Sequence, residues 1–179
     1  MSLPQFPFHP DPVRSGSVVA SDKKCRCCGQ KRGWIYSGPV YAEKDLDDSL
    51  CPWCIADGKA HTTFDATFVD SEAFAADTPT ATIDEVTQRT PGFATFQSER
   101  WPSCCGEPGA FVTPAGIAEI RQHFRAMEGE LMSFIVYELG VSGGAANKLL
   151  ESLQRDRSPT AFVFQCRKCA RPFGYVDTV

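Results

Sequence analysis

Nine cysteines in 179 residues are the part of this sequence best equipped for chemistry. Cys25-Arg26-Cys27-Cys28 and Cys51-Pro52-Trp53-Cys54 supply two Cys-x-x-Cys turns with 22 residues between the pairs, near the spacing of zinc ribbons. Such a turn holds two sulfurs at the separation a tetrahedral ion needs and aims backbone amides at them, so two turns close one four-thiolate site. Cys166-x-x-Cys169 is a third turn of this kind, but Cys104 and Cys105 are adjacent. Neighbours in an extended strand point to opposite sides, so both reach one metal only if residues 103–106 turn tightly. Two zinc ions are therefore expected, one on Cys25, Cys28, Cys51 and Cys54 and one on Cys104, Cys105, Cys166 and Cys169. A second site of three thiolates completed by a carboxylate or a histidine, with His61 the better candidate, is the alternative; a disulfide between Cys104 and Cys105 is rare in a reducing compartment. Cys27 is left over as a substitute ligand, a neighbouring thiol, or a nucleophile beside Arg26.

Catalytic zinc keeps an open position and favours His and carboxylate ligands, and no HExxH or other His-rich motif is present. The three histidines, His9, His61 and His123, are far apart, and His123 reads as a surface residue of a helix. With 42% hydrophobic and 22% charged residues, the chain has the composition of one globular domain or two small ones. No run of 18 apolar residues and no signal-peptide pattern occurs, so neither membrane spanning nor export is expected, and nine thiols suit the cytoplasm. The formal net charge of −4 provides no global basic field for nucleic acid. Charge is uneven: residues 37–85 carry eleven carboxylates against Lys44 and Lys59, a local charge of −9. This reads as a solvated face or as a surface for a basic protein. Asp65 and Asp70, flanking Phe68, are a weaker cation-binding pair.

The elements that must position these residues are short. Prolines at positions 4, 7, 10 and 12 exclude helix, so the N-terminus is an extended arm, either laid on the body through Phe6 and Phe8 or untethered. Residues 33–36 and 39–41 read as a hairpin about Ser37-Gly38, and a short helix or turn over 55–58 closes the first unit. Thr82 with Glu85 is a capping box for a helix over 83–88, stopped by Pro91-Gly92. Thr113-Pro114 opens the main helical section, where Ile117, Ile120, Phe124 and Met127 share a face. Leu131, Phe134, Ile135 and Leu139 continue it to Gly140, and Ser142 caps a third helix. Residues 161–165 and 171–176 read as strands around the last knuckle. The expected fold is α+β, with two zinc-ribbon-like β units and a helical segment over about 113–155 inserted in the second. The expected division is residues 1–95 and 96–179.

Several of these stretches together resemble one family. Leu3-Pro4-x-Phe6-x-x-His9-Pro10-Asp11-Pro12, Cys25-x-Cys27-Cys28-Gly29, Gly33-x-Ile35-Tyr36-x-Gly38-Pro39-Val40-Tyr41, Leu50-Cys51-Pro52-Trp53-Cys54-Ile55-Ala56-Asp57-Gly58 and Phe64-Asp65-Ala66-x-Phe68-Val69-Asp70 are similar to the CbrC family of uncharacterised bacterial proteins, one of which is named for colicin tolerance. The similarity continues through Thr90-Pro91-Gly92-Phe93, Trp101 and the last two cysteine pairs. It implies a bacterial, cytoplasmic, cysteine-rich protein and brings no established activity with it. The family pattern has glycine after the last knuckle, where this chain has Ala170, and more polar residues where it has Gly106-Glu107-Pro108.

A non-enzymatic zinc-binding or adaptor protein is the first functional expectation, in an envelope-stress or toxin-tolerance setting. The second is a nucleic-acid-associated zinc ribbon, using Lys23, Lys24, Arg26, Lys31 and Arg32 or Arg155, Arg157, Arg167, Lys168 and Arg171, with Trp34, Tyr36 or Tyr175 for stacking. Cations near knuckles also serve simply to offset the charge of a four-thiolate site. The third is a hydrolase built from the His9, Asp11 and Asp65 region, which requires these side chains within mutual reach.

Overall fold

The computed structural model describes residues 2–97 and 99–179, and its chain forms two compact units. One is Met1–Ala94 with Glu99–Pro108; the other is Thr95–Ser98 with Gly109–Val179. Helices and small antiparallel sheets make the fold α+β. No helix among the described residues is long and apolar enough to cross a membrane.

In the first unit, β1 (Val18–Ala20) pairs antiparallel with β2 (Trp34–Tyr36). The hairpin expected over 33–41 is therefore not made: β2 turns back on β1, and Tyr41 bridges Thr67 instead. Ser37 is bound by Ser17 rather than by a turn partner, because its amide donates to the Ser17 carbonyl at 2.9 Å. The arm forms no helix but is turned rather than evenly extended, with the His9 amide donating to the Phe6 carbonyl at 3.1 Å, and it is anchored: Phe6 and Phe8 are buried, and His9 is wholly enclosed. Helix α1 (Pro52–Ala56) begins inside the second knuckle, three residues earlier than expected, because Pro52 suits a first helical position. Helix α2 (Lys59–Phe64) follows Gly58, whose φ of 73° makes the break. Helix α3 (Thr80–Arg89) starts after Pro79, so Thr82 lies inside it and does not cap it.

Tyr36 organises this core. Its ring meets Phe68 edge-on at 5.4 Å, and its hydroxyl donates to the Pro39 carbonyl at 2.8 Å while accepting the Gly92 amide at 3.1 Å. Gly92 has to be glycine, because a Cβ there would stand 2.0 Å from the Phe68 carbonyl oxygen. The unit ends in a two-residue ladder, β3 (Ser103–Cys104) against β4 (Glu107–Pro108).

The second unit is a three-stranded antiparallel sheet in the order β5-β6-β7, formed by Ala110–Ala115, Thr160–Gln165 and Pro172–Asp177. Residues 113–115 were expected to open a helix, but they are strand. Pro114 is tolerated because β5 is an edge strand with a register irregularity between Phe111 and Thr113. The helices begin at α4 (Ile117–His123), where Glu119 accepts the Gly116 amide, and continue as α5 (Glu128–Tyr137) and α6 (Gly143–Glu151). Ser142 precedes α6 without a side-chain cap bond. Ile120, Met127, Leu131, Ile135, Leu150, Val163 and Val176 share one core. Phe162 and Phe164, alternating with Ala161 and Val163 along β6, join Phe111, Phe173 and Tyr175 in an aromatic layer.

Candidate metal centres

The first knuckle is shaped by its own backbone. The Cys25 amide donates to the Gln30 carbonyl at 2.9 Å and the Gly29 amide to the Cys25 carbonyl at 2.7 Å, closing a turn in which Gly29 takes a φ of 71°. The last knuckle repeats this residue for residue: Cys166 N–H to Arg171 O at 2.9 Å, Ala170 N–H to Cys166 O at 3.0 Å, and a φ of 58° at Ala170. Left-handed backbone costs glycine little and alanine more. The second knuckle is different, since Cys51 precedes α1 in extended conformation and Cys54 lies in the helix. At Cys104-Cys105 the tight turn expected from sequence is present. Cys105 and Gly106 both have positive φ, 55° and 77°, as in a type I′ hairpin turn. That turn brings the two sulfurs to one side, 3.8 Å apart, a separation that excludes a disulfide between them.

Two groups of four sulfurs result. The Sγ atoms of Cys25, Cys28, Cys51 and Cys54 all lie within 4.8 Å of one another, and so do those of Cys104, Cys105, Cys166 and Cys169. Four thiolates within that reach match the donor set of tetrahedral zinc, and either group could hold a metal ion. Each group is made of cysteine alone, and His61 belongs to neither. Its Nδ1 instead donates to the Ala66 carbonyl at 3.1 Å.

Electrostatics of the first group point the same way. Cys25 is held down to about 4 by hydrogen bonding from the Cys51 side chain, aided by the backbone amides of residues 27, 28 and 51. The Cys51 amide reaches the Cys25 sulfur at 3.2 Å. With Cys25 ionised, Cys51 is pushed up strongly through its bond to that thiolate, and Cys54 by burial and then by the Cys25 charge. Without a cation the group thus favours one anion; a divalent ion would stabilise four. The groups differ in exposure: Cys25, Cys51 and Cys54 are buried and Cys28 is half-buried, whereas Cys105 and Cys169 are exposed.

Other residues singled out from sequence are placed as follows. Cys27 stands outside the tetrad, half-buried, with its sulfur 3.9 Å from Thr63 Oγ1. Both ring nitrogens of His9 are engaged, Nδ1 donating to the Pro91 carbonyl at 2.6 Å and Nε2 meeting Ser15 Oγ at 2.7 Å. Burial lowers its pKa to about 4 against that carbonyl bond. Asp65 is 97% exposed at its side chain, 4.0 Å from His61. Asp11 accepts the Arg14 amide. His123 is exposed, as expected. Tyr36 and Tyr175 are buried core residues, so they offer no stacking surface for nucleic acid. Arg32 lies over the Trp53 ring at 5.2 Å, and Lys23 faces Asp48 at 3.8 Å. Asp70 caps a short 3₁₀ turn by accepting the Glu72 amide. Sequence reasoning missed two groups: Ser15 as the partner of His9, and Glu99. Burial raises Glu99 to about 7, and its carboxylate accepts from the Asp70 amide at 2.8 Å and from Tyr41 Oη at 3.4 Å. No motif announces either: Ser15 lies only six residues from His9 but in no recognised pattern, and Glu99 meets partners 29 and 58 residues away. A cavity of about 380 Å³ within the acidic stretch is lined by Asp57, His61, Asp84, Glu85 and Arg89 among others.

Comparison with known proteins agrees over nearly the whole length. UPF0167 protein Mb2317 of Mycobacterium bovis is 41% identical over 98% of this chain and 93% of its own. UPF0167 protein PA1536 of Pseudomonas aeruginosa is 37% identical over 98% of this chain and 97% of its own. No solved structure matches. The family profile that matches, over residues 3–178, is described as an uncharacterised protein family, and the chain belongs to it: UPF0167.

Proposed function

We propose that this protein is a zinc-binding, non-enzymatic adaptor in which two four-thiolate zinc ions cross-link separate segments of the chain. The observation that supports this most is the convergence of eight of the nine cysteines into two groups of four. Zinc at such sites supplies cross-links between segments and no open coordination position. The chain's own residues do the rest: paired knuckle turns hold the sulfurs, and backbone amides neutralise their charge.

The acidic stretch over 37–85 is the partner surface in this reading, and the partner is a basic protein. Glu43, Asp47, Asp77 and Asp84 are all exposed there. A cytoplasmic location fits the reduced thiols, and the resemblance to CbrC proteins suggests a colicin-tolerance setting. Titrating zinc-loaded protein with a lysine- and arginine-rich peptide tests the partner class. Saturable binding that weakens with salt and is lost when Glu43, Asp47 and Asp77 are changed to Lys supports it. Binding unaffected by that reversal contradicts it.

A further inference from the structure

His9 is a buried base that belongs to neither cysteine group, and its two ring nitrogens are set by their partners. Nδ1 lies 2.6 Å from the Pro91 carbonyl, which can only accept, so Nδ1 carries the ring proton. Nε2 is then the acceptor, and the Ser15 hydroxyl 2.7 Å away donates to it. The further acceptors around Ser15 Oγ are more distant, the Pro12 carbonyl at 3.1 Å and Ser17 Oγ at 3.3 Å. The Ser17 amide donates to Ser15 Oγ at 3.4 Å, which favours negative charge on that oxygen. Ser15 sits in a turn closed by its own amide on the Asp11 carbonyl at 3.2 Å. It is half-buried, with Val13, Arg14 and Gly16 beside it exposed, while the imidazole behind it is wholly enclosed. A hydroxyl, a base within hydrogen-bond reach and a third group orienting the base are the parts of an activated nucleophile, and all three lie in one unit.

We propose that Ser15 is a nucleophilic serine activated by His9, and that it is covalently acylated by small activated carboxylic esters. Ser15 Oγ attacks the ester carbonyl carbon as its proton passes to His9 Nε2, and the bond from that carbon to the leaving oxygen breaks. The proton then moves from Nε2 to the departing oxygen, so one serine and one ester give an O-acylserine and one alcohol. Burial makes the imidazolium costly, so the ring passes the proton on rather than keeping it. This site takes the Ser15 hydroxyl in place of the Asp65 carboxylate, which stands beside His61. The step uses neither cysteine group, and a single acylation modifies the chain without making the adaptor an enzyme.

The test exposes the full zinc-loaded chain to p-nitrophenyl acetate and locates the acetyl groups by peptide mapping. The parent should gain a hydroxylamine-labile acetyl ester on Ser15 ahead of the other serines, and Ser15→Ala should lose it while keeping its zinc and its circular dichroism. His9→Gln is expected to slow acetylation of Ser15 about a hundredfold. In the parent the rate at Ser15 should be level between about pH 6 and 8, because His9 is uncharged throughout. Acetyl groups spread over exposed serines and lysines with Ser15 not preferred, or a folded His9→Gln variant acetylated at the parent's rate, overturn the proposal. Should His9→Gln not fold, the pH profile decides: a rate at Ser15 that climbs about tenfold per pH unit is that of an ordinary hydroxyl ionising, and overturns it as well. Each of these results leaves the zinc reading standing.

Discussion

Ala170 occupies in the last knuckle the position of Gly29 in the first, with the same two hydrogen bonds around it and φ of 58° against 71°. A Cβ in left-handed backbone costs about 1 kcal/mol, which zinc binding in the folded state has to offset. Ala170→Gly should therefore stabilise the folded protein by about 0.5–1 kcal/mol, read from denaturant unfolding of the zinc-loaded chain. Buried His9 and half-buried Glu99 act oppositely on pH dependence. His9, lowered to about 4, takes up its proton in the unfolded chain first, so its contribution is lost as pH falls from about 6.5 to about 4. Glu99, raised to about 7, gives up its proton in the unfolded chain first, so stability falls as pH rises from about 4.5 to about 7. The two slopes largely cancel in their shared window. Glu99→Gln removes one of them: its stability relative to the parent should grow by about 3 kcal/mol between pH 4.5 and 8. Taking the difference between the two proteins cancels thiolate protonation, which both share. A difference that stays flat with pH would contradict the burial of an ionisable Glu99.

At the scale of elements, the two centres are built from unlike pieces. The first joins a knuckle loop to the start of α1 within buried surroundings; the second draws on a hairpin turn at Cys104-Cys105 and a knuckle loop at Cys166–Cys169, with exposed Cys105 and Cys169. A chelator reaches exposed sulfurs sooner, so zinc loss is expected in two phases. The faster phase should vanish in Cys169→Ser and the slower in Cys54→Ser. Much of this layout was legible beforehand. The three Cys-x-x-Cys turns, the arm and the strands flanking Cys166 and Cys169 follow from local rules of spacing, proline geometry and β propensity. Two of the failures have different causes. Strand pairing is decided by tertiary partners, so Trp34–Tyr36 joined Val18–Ala20 across a 13-residue gap instead of a neighbour across Ser37-Gly38. Thr113-Pro114 looked like a helix start because a proline at a sheet edge and one at a helix start leave the same local signature.

For the whole molecule, the chain belongs to UPF0167, a family described as uncharacterised, and is 41% and 37% identical to mycobacterial and pseudomonad relatives. The apolar cores are substantial, with Tyr36, Phe68, Ile55 and Leu50 buried in one unit and Leu131, Ile135 and Phe164 in the other. Metal therefore supplements a core that exists. Removal should loosen the knuckles and lower the unfolding midpoint, with most helical signal retained in the second unit. The central claim is two zinc ions per chain on eight cysteines. Native mass spectrometry of protein purified without added metal tests it most directly, with thiols counted before and after chelation. Two zincs per chain with one readily alkylated thiol, rising to nine after chelation, is the predicted result. A folded chain carrying no zinc, with all nine thiols reactive from the start, would contradict it.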